Sequence, residues 1–319
     1  METVFAGSRG GDWPPDYFRD AFGEKLEIFH SPYLLRTPNR KGIYVGRTIL
    51  FNLVRSFAYL IEVRRIRKKI NELGPDVVFN LYDLVGALAL RRISPGIRRI
   101  GISHQFFLHL DGYRCPGGST LHRRLLALHT RLVMGSCDRV LALSFRESAG
   151  NERITVVPPL IRRKVRELSY RPGERYLAYL LTGGFFFDLI LLSREYPGLE
   201  ADVFTGLTTE MELPPGIRLY RPDQELFLEK LSVCRAVITT SGFDTVAEAA
   251  FLGIPLAVIP VQNHYEQWCN SYDVEASGIG IRATRPDASM LDRLRPTENM
   301  NYREWASRAG ELLLKNAFE

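Results

Sequence analysis

The sequence predicts an α/β fold of two parallel-sheet halves, and three observations predict it. Short β-branched or apolar runs alternate with helical patterns almost from end to end, the signature of βαβ units. The alternation breaks once, at Val157-Pro158-Pro159-Leu160, where successive prolines stop regular structure, and then restarts. The chain has 319 residues, about two domains at roughly 150 residues each. With the boundary near 158–172, one domain is expected over 1–160 and a second over 161–319, the last helix packing back on the first.

Element by element, Thr3-Val4-Phe5-Ala6-Gly7-Ser8 reads as a strand, with glycines from Gly7 to Gly11 and a short helix after Pro14-Pro15. Helical patterns follow at 44–73, 83–92 and 119–135. Strands are expected at Pro75–Asn80, Arg99–Ser103, Arg139–Leu143 and Ile154–Val157. Past the prolines, a second strand set runs Tyr176–Leu181, Glu200–Phe204, Ile217–Tyr220, Ala236–Thr239 and Pro255–Ile259.

Composition narrows the class. The chain is 45% hydrophobic and 24% charged, the balance of a globular protein rather than a disordered or fibrous one. Its net charge of +6 is modest, so the position of the charges matters more than their sum. The basic run Arg64-Arg65-Ile66-Arg67-Lys68-Lys69 lacks interleaved aromatics, which argues against nucleic acid as a partner. Cys115, Cys137, Cys234 and Cys269 form no CxxC and no paired spacing, fitting reduced thiols in a cytoplasmic protein and offering no zinc site. Arg47, Asn52 and Arg55 interrupt the apolar stretch from Tyr44 to Ile61, which excludes a spanning helix there. The opening residues carry no apolar core of a signal peptide.

The segment 44–73 has its own pattern. Ile49, Leu50, Leu53, Phe57, Leu60 and Ile61 recur at helical spacing beside Arg47, Arg55, Arg64, Arg65, Arg67, Lys68 and Lys69. Such a stripe either faces the core or lies on an anionic membrane surface.

The chemistry concentrates between Thr239 and Pro255. A strand ends in Thr239-Thr240-Ser241-Gly242 and a helix begins at once, exposing unpaired N–H groups and the positive end of a helix dipole, a seat for phosphate. Glu248 lies one turn beyond Asp244, where its carboxylate can line a cleft and accept hydrogen bonds from a ribose diol; the alternative is that Ser241 or Asp244 merely caps the helix. After the next strand comes Pro260-Val261-Gln262-Asn263-His264-Tyr265-Glu266-Gln267-Trp268-Cys269-Asn270. Ligands in open α/β sheets bind at the carboxyl ends of strands, and this polar loop suits a hydroxyl-rich ligand such as a sugar.

These two segments resemble the donor half of GT-B glycosyltransferases, especially the MurG-like family, with its S-G-x-x-T-x-x-E-x-x-x-x-G-x-P pattern. The match is Ser241, Gly242, Thr245, Glu248, Gly253 and Pro255, followed by Glu266-Gln267 and Asn270. The resemblance implies two Rossmann-like domains facing a cleft. It assigns Glu248 to the ribose of a nucleotide sugar and Glu266 with Gln267 to the donor sugar, with Thr240, Ser241, Gly242, Thr245, Gln262 and His264 in the same donor set. It places Gly183 and Gly184, after Leu181-Thr182, against the donor diphosphate, and the turn Arg221-Pro222-Asp223 leading into Phe227 around the base.

On the acceptor side, Gly101-Ile102-Ser103-His104-Gln105 resembles the family's acceptor loop. His104 is the candidate to orient or deprotonate an acceptor hydroxyl, a histidine packed beneath the cleft being the alternative; Asp83 is a second catalytic candidate. His109, His122 and His129 have no partner pattern and read as surface or interface residues. Thr3–Ser8 resembles the family's second strand, so the N-terminal domain is expected to be truncated. No Asp-x-Asp occurs in the chain, which favours stabilising the leaving group without a metal.

The expected function is inverting, metal-independent transfer of a sugar from a UDP-sugar to an acceptor hydroxyl, with no cofactor and with a lipid-linked or other glycan acceptor. Two alternatives stay open: a non-catalytic nucleotide-sugar-binding or complex partner, and a nucleotide-sugar 2-epimerase.

Overall fold

The computed structural model describes residues 3–8, 16–180, 183–207, 209–296 and 299–318. In the first half, β1 (Val4–Ser8), α1 (Asp16–Phe22) and β2 (Leu26–His30) precede α2 (Val45–Val54) and α3 (Ser56–Leu73). Then come β3 (Val77–Asn80), α4 (Leu84–Leu90), β4 (Arg98–Ser103), α5 (Thr120–Met134), β5 (Arg139–Leu143) and β6 (Ile154–Val157). Strands β1 and β2 pair in parallel as a sheet of their own, and β3-β4-β5-β6 form a second parallel sheet in chain order. Gly10, Gly11, Pro14 and Pro15 lie outside the described residues.

After the short α6 (Arg163–Arg166), the second half runs β7 (Tyr176–Tyr179), α7 (Gly184–Glu195), β8 (Ala201–Phe204), β9 (Ile217–Tyr220), α8 (Gln224–Ser232) and β10 (Ala236–Thr240). It continues with α9 (Phe243–Phe251), β11 (Leu256–Ile259), α10 (Tyr265–Ala276), β12 (Ile281–Arg282), α11 (Ala288–Arg293), α12 (Met300–Ser307) and α13 (Ala309–Phe318). These strands form one parallel sheet of order β12-β11-β10-β7-β8-β9. Helices cover both faces, so β8, β10 and β11 are buried along their whole length, as their nearly continuous apolar sequences require. The strand order starts at β7, grows outward to β8 and β9, then reverses to β10. The switch point therefore lies between β7 and β10, and the crevice beyond their carboxyl ends is where a doubly wound sheet binds its ligand.

Three expectations need revision. The pattern at 44–73 is two helices, broken at Arg55, whose guanidinium lies 3.6 Å from the Phe51 ring centroid. Gly74, at φ +54°, ends α3 in the left-handed conformation that glycine adopts without penalty. The apolar stripe does not face the core. Val63, Ile66 and Ile70 pack on Val85, Ala89 and Leu90, whereas Leu50, Leu53, Val54 and Phe57 are 63–74% exposed. Phe227 also turns inward, packing edge-on against Phe204, and Asp223 caps α8 by accepting from the Leu226 amide, so neither side chain encloses a base.

The chain's last helix returns to the first half. Ala309, Leu313 and Ala317 of α13 pack against Ile100, Leu141 and Val157 of the β3–β6 sheet.

Candidate active site

The two glycine-bearing turns flank the switch point. Gly183 (φ +71°) and Gly184 open α7 after β7, and Ser241-Gly242 open α9 after β10; Leu181 and Thr182 lie outside the described residues. Thr240 and Ser241 are buried. The Ser241 hydroxyl has no hydrogen-bond partner among the described residues, and neither has Oδ1 of Asn270, whose Nδ2 donates to the Ser241 carbonyl at 2.9 Å. Buried polar atoms are normally satisfied, and these two converge at the positive end of α9. Ser241 therefore does not cap the helix through its side chain. Thr245 stands half-buried in the first turn.

Glu248 does not open into a cleft. It is 3% exposed and gripped by Arg162 from the interdomain connector, Nε to Oε1 at 2.6 Å and Nη2 to Oε2 at 2.7 Å. This bidentate fork is the strong form of the arginine–carboxylate bond. Crowding by surrounding protein and the Glu248 charge push the Asp244 carboxyl up, against the pull of Arg162.

In the loop after β11, Gln262 is exposed, with its backbone bonded to residues 41 and 43. His264 is the N-cap of α10, and the Gln267 amide oxygen accepts from the Val261 N–H at 2.9 Å. That bond fixes the loop and occupies the group expected to read sugar. Glu266 faces the first half: its charge raises the Tyr82 pKa after burial, and it favours the charged form of His129 against burial, which lowers that imidazole's pKa.

The first-half candidates are committed elsewhere. His104 is 5% exposed. Its Nδ1 lies 2.7 Å from the Leu143 carbonyl and must donate there, and its Nε2 lies 3.0 Å from Asp273 Oδ2. The ring stacks on Phe243 at 4.6 Å, with Phe107 and Phe145 beside it. With both nitrogens bonded and its faces walled by phenyl rings, His104 joins the halves and presents no free base to an acceptor. Asp83 caps α4, accepting from Gly86 N at 2.6 Å and from the Ser31 hydroxyl at 2.8 Å; it is a structural anchor.

Sequence reasoning missed Arg162, Tyr113, Asp273 and the Tyr82–His129 pair. Tyr113 donates to Asp273 Oδ2 at 2.9 Å. Tyr82, just past β3, holds φ +66°, stacks on His129 at 4.9 Å and bonds Thr130 at 2.7 Å. A non-glycine residue in that region is strained, and such strain collects at functional sites.

A family model for glycosyl transferase family 1 matches residues 19–294. The chain belongs to that family. It is accordingly an enzyme, a glycosyltransferase. An uncharacterized glycosyltransferase of Methanosarcina acetivorans is 24% identical over 303 residues, covering 84% of this chain and 76% of its relative. Another from Methanopyrus kandleri is 27% identical over 139 residues, and the match spans only 40% of that protein's length. Among solved structures, the glycotransferase of kitacinnamycin superposes with a TM-score of 0.58 at 18% identity over 99% of this chain and 98% of its own. Acinetobacter baumannii MurG gives 0.51 at 14% identity, with 99% and 90% covered. Phytolacca americana UGT2, solved with UDP-2fluoro-glucose and pterostilbene, gives 0.60 at 12%, with 96% and 87% covered. At these identities the likeness is one of fold, the two-domain GT-B architecture.

Proposed function

We propose that this glycosyltransferase moves a sugar from a UDP-sugar to an acceptor hydroxyl, with inversion and without a metal. One observation carries the donor reading: the turns Gly183-Gly184 and Ser241-Gly242 flank the switch point of the second sheet, with the buried Ser241 hydroxyl unpartnered at the α9 N-terminus. Helix N-termini and backbone amides at such a crevice hold a diphosphate and stabilise it as a leaving group. Glu266, in the first turn of α10, is the residue for the donor sugar, whereas Glu248, buried under Arg162, braces α9 against the interdomain connector and does not open to the ribose. The acceptor oxygen attacks the anomeric carbon while the bond to the β-phosphate oxygen breaks, its electron pair leaving with UDP.

Calorimetric titration with UDP, GDP and dTDP sugars tests this. Heat with the uridine ligand and turnover indifferent to EDTA are expected. No heat with any nucleotide at millimolar concentration overturns the donor reading, and activity lost to EDTA and restored by manganese overturns metal independence.

The acceptor reading adds a surface. The exposed α2–α3 stripe, on a segment where Arg47, Arg55, Arg64 and Lys68 are also exposed, has the composition of an interfacial helix face. It supports a cytoplasmic enzyme resting on an anionic bilayer and using a lipid-linked acceptor. Among the described residues no helix is long and apolar enough to cross a membrane.

A further inference from the structure

A cavity of about 290 Å³ opens at the carboxyl ends of β11 and β12, where Pro260 and Ala283 begin the next loops. The sheet order β12-β11-β10-β7 puts it two strand spacings, about 10 Å, from the switch point between β10 and β7. A ligand there lies beside the donor crevice and not in it. One wall is Trp268 of α10, whose indole N–H donates to the Gly117 carbonyl of the first half at 2.8 Å. The cavity therefore borders the junction of the two halves.

Its polar wall carries more positive charge than it consumes. Arg282 and Arg293 share a single carboxylate, Glu275, at 3.7 and 3.5 Å. Both distances are too long for charge-assisted hydrogen bonds, which close to about 2.7–2.9 Å. Arg293 also donates to the Arg282 carbonyl at 3.3 Å. The Arg282 guanidinium makes no hydrogen bond among the described residues and stands 5.0 Å from the Trp268 ring centroid. Asp287, the other acid of the wall, is committed: its Oδ1 accepts from the Met290 amide at 2.8 Å and the Ser289 hydroxyl at 2.9 Å, and its Oδ2 lies 3.7 Å from Arg285. Two guanidiniums against one uncommitted carboxylate leave a surplus of one positive charge.

A planar carboxylate matches a guanidinium fork, and an indole offers a broad apolar wall to the carbon skeleton of a ring. The volume falls just below the roughly 300–1,000 Å³ of pockets for drug-sized ligands, which suits a single sugar ring. We propose that this cavity binds a hexuronate unit of the glycan acceptor, its carboxylate bridging Arg282 and Arg293 and its ring lying against Trp268. The inference rests on the reading of the chain as a glycosyltransferase with a glycan acceptor. It follows that the uronate is installed by a transfer that precedes this one.

The test titrates the full chain with D-glucuronate, D-glucose and acetate at matched ionic strength, followed by heat and by tryptophan emission, with UDP as a separate arm. Glucuronate should bind at millimolar concentration and change the emission, with glucose and acetate on the order of tenfold weaker. Arg282→Gln/Arg293→Gln should weaken glucuronate on the order of tenfold and leave UDP affinity unchanged. Arg282→Gln alone, which removes no hydrogen bond among the described residues, repeats the measurement if the double variant fails to fold. Acetate binding as well as glucuronate marks a bare anion site, and glucose binding as well as glucuronate marks a neutral sugar site; either overturns the proposal. So does glucuronate binding that is absent in wild type or equal in wild type and variants, and UDP binding then leaves the donor reading standing. Glucuronate bound without UDP overturns the donor reading alone.

Discussion

Both oxygens of Glu248 meet nitrogens of Arg162, across 86 residues of sequence, on a helix whose other buried residues are Val246, Ala247, Ala249, Ala250 and Phe251. Removing one side of a buried ion pair leaves the other uncompensated. Arg162→Met is therefore expected to cost about 2–4 kcal/mol, less than a fully sealed pair because Arg162 keeps 40% of its side chain in water. Arg162→Lys should restore only part, since one ammonium cannot bond both oxygens in the fork geometry. Urea midpoints measure both variants; a methionine variant as stable as wild type would mean that water already screens the pair. The sequence shows Glu248 as a chemistry-bearing residue but hides its partner, because a contact between a connector and a distant helix leaves no local pattern. His104 is the same case: its partners are Leu143 and Asp273, 39 and 169 residues away. Asp83, expected as a catalytic group, instead carries a local capping signal, an aspartate three residues ahead of the amide it caps.

Helix α2 and the start of α3 show how an element can be legible in spacing and ambiguous in meaning. The apolar recurrence through Ile61 is real, yet the core takes the next set, Val63, Ile66 and Ile70, and leaves the stripe outside. Periodicity gives a helix an apolar face without stating which solvent the face meets. Arg55 breaks the pattern with no proline or glycine to announce it, so the two-helix form could not be read ahead. Strands differ: β5 and β6 fall where β-branched runs put them, while β2 is a short run in which Glu27 and His30 break the apolar pattern. The exposed stripe is expected to bring the protein down with vesicles of anionic lipid at low salt and to release it at high salt, each nearby basic residue contributing about 1 kcal/mol. Changing Arg64, Arg65, Arg67, Lys68 and Lys69 to Gln should shift the protein to the supernatant. Wild type remaining in solution at low ionic strength would argue for a soluble acceptor.

The two halves are joined through α10, the helix whose first turn carries Glu266. Asp273 accepts from Tyr113 and pairs with His104, Tyr265 donates to the Pro116 carbonyl at 2.8 Å, and the Trp268 indole donates to Gly117 at 2.8 Å. Asp273→Ala strips His104 and Tyr113 of a shared hydrogen-bond partner, and a loss of about 2–4 kcal/mol is expected, mostly at the junction. Urea unfolding followed by tryptophan emission and by far-UV dichroism should give coincident curves for wild type and separated ones for the variant. Coincident, unshifted curves in the variant would show that aromatic stacking alone holds the junction. None of this junction was legible beforehand, because it is made of single side chains and loop carbonyls, not of repeating pattern.

The seat of α13 carries one more consequence. Ala309, Leu313 and Ala317 complete a cluster with Ile100, Leu141 and Val157. On the ribosome, the first half therefore waits for residues synthesised after the whole second sheet. Until they emerge, the nascent β3–β6 sheet shows an uncovered apolar face, the kind of surface that chaperones retain and that aggregates when they do not. Birth order and completion order are reversed in this enzyme: the sheet made earlier is finished by a helix made after the later one.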